Sequence, residues 1–210
     1  AIDPEGPYLL GGWSMGGIVA LEMAQQLQKR GFKVALLALL DCQVPGPEPS
    51  GDSSHTRQLI AFIVHLLGSF PSHLSSFQQF EGQQFTELYQ TLQPLPEEQQ
   101  IVLILDQLKQ ANIIPEDVEL AQFKHLIAVF RTNYQAVRSY RAESYAGRVI
   151  FFGSEEVIEY KGLGPAMGWD HLIVGDKEIY TLPGNHYALM RGLTVHKLAE
   201  RLSAATCKLP

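Results

Sequence analysis

The feature that most constrains this chain is a serine set between glycines, Gly12-Trp13-Ser14-Met15-Gly16, with an apolar run before it and a helical pattern after it. Pro7 to Trp13 carries Tyr8, Leu9 and Leu10 and predicts a buried strand. Ala20, Met23, Ala24 and Leu27 then recur at helical spacing. Lys29 and Arg30 suit the C-terminal end of that helix, and Gly31 suits the position just beyond it. A serine between a strand and a helix sits on a sharp turn, where bulky neighbours would clash and glycine does not. Its Oγ projects above the sheet at a helix N-terminus, the geometry of a nucleophile elbow. The backbone N–H of Met15 is then a candidate oxyanion donor.

Val34 to Leu40 is a continuous apolar run and reads as a parallel strand buried on both faces, ending at Asp41. The opening is thus strand, tight turn, helix, strand, which implies a right-handed βαβ unit. Arg148 to Gly153 and Glu178 to Leu182 are further strands, and a helix over about Thr194 to Ala205 closes the chain. Between them, about His55 to Asn112 reads as mostly helical, rich in Gln and broken by Pro71, Pro94 and Pro96. Another helix starts near Pro115, with Leu120, Phe123, Ile127, Phe130, Tyr134 and Val137 on one stripe. The block from 55 to about 140 reads as an insertion between two parts of one α/β core.

A serine nucleophile needs a base, and the base an orienting acid. Of seven histidines, His65 and His125 lie in helical patterns, His55 and His73 near helix starts, His171 in a Trp-Asp-His run and His196 in the last helix. His186 follows the last predicted strand on the loop Pro183-Gly184-Asn185, the place that the chain order Ser, acid, His gives to the base. The acid has two candidate sources, Asp41 and the pair Glu155 and Glu156; all follow core strands, and the pattern alone leaves them open. A capping role for Asp41 and a solvated loop for Glu155 and Glu156 are the competing structural readings.

Composition narrows the partners. A net charge of −6 speaks against nucleic acid, since phosphate binding needs a basic face. No run of about 18 apolar residues is present, so no transmembrane helix is expected. Ala1-Ile2-Asp3-Pro4-Glu5 lacks the pattern of a secretion signal, and Cys42 and Cys207 are too few for a disulfide framework, which points to free thiols in the cytoplasm. No Cys/His cluster has metal-ligand spacing.

The motifs Gly6-Pro7-Tyr8-Leu9-Leu10, Gly11-Gly12-Trp13-Ser14-Met15-Gly16-Gly17, Leu39-Leu40-Asp41, Gly168-Trp169 and Leu182-Pro183-Gly184-Asn185-His186-Tyr187 together resemble the terminal thioesterase domains of non-ribosomal peptide synthetases and polyketide synthases. The resemblance covers nearly the whole chain. It implies an α/β-hydrolase core, mostly parallel, as one domain over 1–210 with a helical lid inserted at about 55–140. It places the triad on Ser14, Asp41 and His186 and implies no cofactor in the domain. The substrate is an acyl or peptidyl thioester on the phosphopantetheine of a carrier protein, released by hydrolysis or cyclisation. The family has several strands before the elbow, whereas this chain begins almost at the elbow strand. The expectation is therefore that N-terminal strands, and the loop giving the second oxyanion N–H, would lie before Ala1, and that 1–210 alone is poorly soluble and nearly inactive.

Two further expectations concern the helical block. Phe62, Leu66 and Phe77 would face the product from mobile lid helices. Lys124, Arg131 and Arg138 recur every seven residues on one helix flank, which reads as a solvated face or as one that could steer an acidic carrier protein. The competing functions are a stand-alone editing thioesterase or other acyl-ester hydrolase, and a non-catalytic binding module whose Ser14 would be unreactive.

Overall fold

The computed structural model describes residues 5–45, 54–68, 83–162 and 164–207. The chain divides into two compact units, one formed by Ala1–Gly46 with Ser139–Pro210 and the other by Pro47–Arg138.

The first unit is an α/β sheet structure. Strand β1 (Tyr8–Trp13) leads into helix α1 (Met15–Lys29) and strand β2 (Val34–Leu40). After the second unit come β3 (Val149–Ser154), a short helix (Glu155–Lys161), β4 (Lys177–Leu182), a 3₁₀ turn (Ala188–Met190) and a closing helix (Gly192–Thr206). The four strands lie in the order β1-β2-β3-β4, and every pairing is parallel. Parallel strands are covered on both faces. This explains the unbroken apolar run of β2, where Leu36, Ala38 and Leu40 join Ile150, Phe152 and Leu198 in one core while Leu37 and Leu39 are buried on the other side. Helix α1 packs on β1 and β2 and ends with Gly31 at a positive φ of 83°, as its place beyond the last turn requires. Met23, placed on the apolar stripe by its spacing, is instead exposed.

The second unit is helical among its described residues: α2 (His55–Gly68), α3 (Gln83–Leu92), α4 (Glu97–Gln110) and α5 (Leu120–Ser139), the last running one residue past the unit's edge. Leu59 and Ile63 of α2, Ile101 and Ile104 of α4, and Phe123 and Ile127 of α5 form its own core. Thr56 and Gln100 are buried together, and the Gln100 amide donates to the Thr56 hydroxyl at 3.1 Å and to the Leu95 carbonyl at 2.9 Å. This satisfies the polar groups that burial would otherwise penalise.

Two expectations for this unit change. Phe62 is buried in its core, edge-on to Phe123 and Phe130 at 5.6 Å each, and Leu66 packs against the same cluster. Ordinary helix packing thus accounts for both, and Phe77 and Pro71 lie outside the described residues. The cations of α5 are also engaged within the unit. Lys124 pairs with Glu98 and Arg131 with Glu97, both acids in the first turn of α4, while the Arg138 guanidinium lies over the Tyr134 ring at 5.5 Å. A repeat of seven puts cations on one flank, but acids on a packed neighbour decide whether that flank is available.

The helix Glu155–Lys161, called α6 below, was not foreseen; the closing helix Gly192–Thr206 is α7. Seven residues are too few to show an apolar period. The acids at its start are nonetheless a favourable helix opening, because carboxylates suit the N-terminal end of the helix dipole.

Candidate active site

Each of the four parallel strands delivers one polar residue at its carboxyl end, the edge where open α/β sheets carry their sites. Ser14 follows β1, Asp41 follows β2, Ser154 ends β3, and His186 lies on the loop after β4. Because Trp13 and Leu40 are register partners, Ser14 and Asp41 leave adjacent strands side by side.

The elbow is built by backbone. Ser14 takes φ 56° and ψ −128°, a conformation sparsely populated by residues with a side chain, and it is held there by its N–H donating to the Leu40 carbonyl at 2.9 Å. Such strain in a non-glycine residue concentrates at functional sites. A Cβ on Gly12 would collide with the Gly16 carbonyl, so this position admits only glycine. A Cβ on Gly17 would lie 2.7 Å from both Cβ and Sγ of Cys42. A Cβ on Gly16 would meet nothing within 4 Å outside its own helix. The close packing behind the elbow thus falls on Gly12 and Gly17, not on the second glycine of the five-residue motif. Helix α1 starts at Met15, whose N–H has no acceptor within the helix, while the Gly17 N–H donates to the Ser14 carbonyl at 3.0 Å.

Asp41 is almost fully buried and also has a positive φ, 45°. Its Oδ1 accepts hydrogen bonds from the Ser154 backbone N–H at 2.8 Å and hydroxyl at 2.9 Å. Its Oδ2 lies 2.6 Å from Nδ1 of His186. The His186 side chain keeps 21% of its surface exposed, whereas that of Asp41 keeps none. The pair is therefore an inner carboxylate carrying an imidazole whose outer side is reachable. The His186 ring stacks on Trp13, with centroids 4.5 Å apart and planes at 25°, and the Trp13 Nε1–H donates to the His186 carbonyl at 3.2 Å. Gly184 turns the loop at φ 96°, and Asn185 Oδ1 accepts the N–H groups of Tyr187 and Ala188 at 3.1 and 3.0 Å.

Residues beside the acid are equally fixed. Cys42 is a free, buried thiol whose pKa is pushed up to about 12, first by burial and then by the negative charge of Asp41. Its carbonyl accepts the Trp169 Nε1–H at 2.6 Å, and Val44 N–H donates to Met167 O at 3.1 Å. The Gly168-Trp169 motif thus ties down the segment leaving Asp41.

Of the residues proposed from sequence, the structure joins Asp41 to His186 and sets Ser14 beside Asp41 in sheet register. Glu155 and Glu156 are exposed in the first turn of α6, which corrects their reading as loop residues. His55, His65, His125, His171 and His196 are exposed, and His73 lies outside the described residues. Ser154 and Trp13 went unassigned, since no local pattern reveals a hydrogen bond or a stack across more than 100 residues. Among the described residues, no group of three or more His, Cys, Asp or Glu is placed to hold a metal ion, and no helix is long and apolar enough to cross a membrane.

The profile of the family described as Thioesterase domain matches residues 1–206. The chain belongs to the thioesterase-domain family. This thioesterase domain is 26% identical over 202 residues to chondramide synthase cmdD of Chondromyces crocatus, covering 96% of the chain and 5% of that protein. It is 24% identical over 194 residues to atromentin synthetase of Tapinella panuoides, covering 90% of the chain and 19% of that protein. The chain therefore spans only a small part of the relatives it matches. A shorter stretch of 50 residues is 50% identical to the non-reducing polyketide synthase stmB of Aspergillus ustus, covering 24% of the chain and 2% of that protein. The fold is shared with a four-domain nonribosomal peptide synthetase solved with AMP and glycine, at TM-score 0.77 and 24% identity over 99% of this chain and 15% of that one. It is also shared with the NocB thioesterase domain, solved as a covalent complex with a fluorophosphonate nocardicin G analogue, at TM-score 0.58 and 21% identity over 98% of this chain and 68% of that one. The relatives of this thioesterase domain are thus domains of peptide and polyketide synthetases, and its core is of the α/β-hydrolase type.

Proposed function

We propose that this thioesterase domain is a serine hydrolase that releases an acyl or peptidyl product from the phosphopantetheine thioester of a carrier protein. Ser14 is the nucleophile, His186 the base and Asp41 the acid. The observation that carries this reading is the 2.6 Å contact between Asp41 Oδ2 and His186 Nδ1, at the sheet edge where Ser14 occupies a strained elbow. With Nδ1 engaged by the carboxylate, Nε2 is the nitrogen left to serve the serine.

In the first step His186 Nε2 takes the Ser14 hydroxyl proton as Oγ attacks the thioester carbonyl carbon. Negative charge collects on the carbonyl oxygen, and the Met15 N–H at the start of α1 is a donor for it. The tetrahedral intermediate collapses with cleavage of the C–S bond, and the leaving sulfur takes the proton from His186. In the second step water, or a hydroxyl or amine of the product, attacks the acyl-serine. His186 accepts its proton and returns one to Ser14 Oγ as the ester C–O bond breaks. Asp41 holds the Nδ1–H tautomer and stabilises the imidazolium in both steps. The carrier-protein substrate is supported by the synthetases among the relatives.

The test is turnover of an acyl N-acetylcysteamine thioester, a small stand-in for the pantetheine thiol. Ser14→Ala and His186→Ala are each expected to lower kcat by at least about 10³-fold. Undiminished turnover in Ser14→Ala would remove the serine mechanism.

A further inference from the structure

We infer that Trp13, the residue before the nucleophile, is a positioning residue for the base, and that its indole face stabilises His186 in the cationic form reached during each proton transfer. The inference rests on the base reading of His186. It is carried by three contacts that converge on one imidazole. Asp41 takes Nδ1 at 2.6 Å, the indole of Trp13 covers one face at a centroid separation of 4.5 Å, and Tyr187 stands edge-on at 5.2 Å. Tyr187 also meets the indole edge-on at 5.9 Å, so the two aromatic groups brace each other. The Trp13 Nε1–H fixes the backbone of the same residue, donating to the His186 carbonyl at 3.2 Å. One side chain therefore restrains both the ring and the main chain of the base, across 173 residues of sequence.

The placement has a chemical consequence. Trp13 is covalently joined to Ser14, so the surface on which the base rests moves with the nucleophile. The face of an indole carries partial negative charge and attracts a cation. It favours imidazolium over imidazole, and in the proposed cycle His186 becomes imidazolium as it takes the serine proton. An interaction that strengthens as the proton moves accelerates turnover without tightening substrate binding. Its loss is therefore expected in kcat, with KM little changed.

Two substitutions and a fluorinated series separate the contributions. Trp13→Phe keeps an aromatic face and removes the Nε1–H donor; Trp13→Leu removes both. With an acyl N-acetylcysteamine thioester, Trp13→Leu is expected to lower kcat by about tenfold or more, the size of one modest electrostatic interaction. Trp13→Phe is expected to recover most of that loss, and KM should stay within about twofold in both, as for an interaction absent from the ground state. Site-specific fluorotryptophans at position 13 preserve the shape and the fold while draining charge from the indole face. Under this account kcat falls stepwise with each added fluorine. Wild-type kcat across the fluorinated series would overturn the electrostatic role, and wild-type kcat in Trp13→Leu would overturn the positioning role. His186→Ala, measured alongside, keeps the two readings apart: near-normal turnover there removes the base itself, whereas its inactivity with unchanged Trp13 variants removes only the inference drawn here.

Discussion

Ser154 donates both its backbone N–H and its hydroxyl to Asp41, at 2.8 and 2.9 Å, from the last position of the neighbouring strand. A buried carboxylate is costly unless its oxygens are satisfied. Here the Ser154 N–H holds Oδ1, its hydroxyl lies 2.9 Å from both carboxylate oxygens, and Oδ2 is also turned to His186. The pairing of β2 with β3 thus orients the proposed triad acid.

Ser154→Ala removes the hydroxyl donor and leaves the N–H. A hydrogen bond to a charged group is worth about 1.5–3 kcal/mol, so kcat should fall about tenfold or more with KM nearly unchanged. Steady-state kinetics with a small acyl thioester checks this. Ser154→Thr, which keeps the hydroxyl, should lose less.

Asp41→Asn should lower kcat by roughly 10⁴-fold, because the amide favours the wrong histidine tautomer. Glu155→Gln and Glu156→Gln should leave kcat within about twofold, as is usual for exposed positions outside a site. Loss of activity in a glutamate variant together with full activity in Asp41→Asn would move the acid to α6.

Glycine substitutions should divide by position. Gly12→Ala drives a methyl into the Gly16 carbonyl, and Gly17→Ala drives one into Cys42, so both should lower Tm sharply or prevent folding. Gly16→Ala meets nothing outside its helix and replaces a poor helix former, so its stability should be unchanged or raised by up to about 1 kcal/mol. Thermal melts of the three variants make the comparison.

The thiols and phenols set an alkaline limit. Cys42, Tyr145 and Tyr187 are each raised by burial to about 12, from ordinary values of 9.0, 10.0 and 10.0. Within that interval the folded protein keeps protons that the unfolded chain releases. Their stabilising effect is whole below about pH 9 and is lost as pH climbs toward 12. Urea unfolding as a function of pH should show stability falling across this window. At pH 8 a thiol reagent should titrate the exposed Cys207 at once and Cys42 only on unfolding.

What the sequence made legible was what short-range pattern controls. The seven apolar residues of β2 could only be a strand buried on both faces, and its bounds, Val34–Leu40, match. Gly31 marked the end of α1 because only a residue at ease with positive φ fits there. The serine elbow was legible because a strand and a helical pattern flank its serine and the glycine at position 12 is sterically required. Asp41 and Glu155 could not be separated by pattern, since both follow core strands; a single tertiary hydrogen bond separates them. Ser154 and Trp13 stayed hidden for the same reason, each being an ordinary strand residue until the fold brings a partner from far along the chain. The ion pairs of Lys124 and Arg131 were not legible either, because the sequence does not show which helix packs alongside, and α4 brings Glu97 and Glu98.

The central claim is that Ser14 carries the acyl group during turnover. Intact-mass and peptide mass spectrometry after brief incubation with acyl N-acetylcysteamine thioesters, quenched in acid, tests it directly. The account predicts one acyl group per chain, located on the peptide containing Ser14, absent from Ser14→Ala and greatly slowed in His186→Ala. Turnover with no acylated chain trapped, or an adduct that persists in Ser14→Ala, would contradict it.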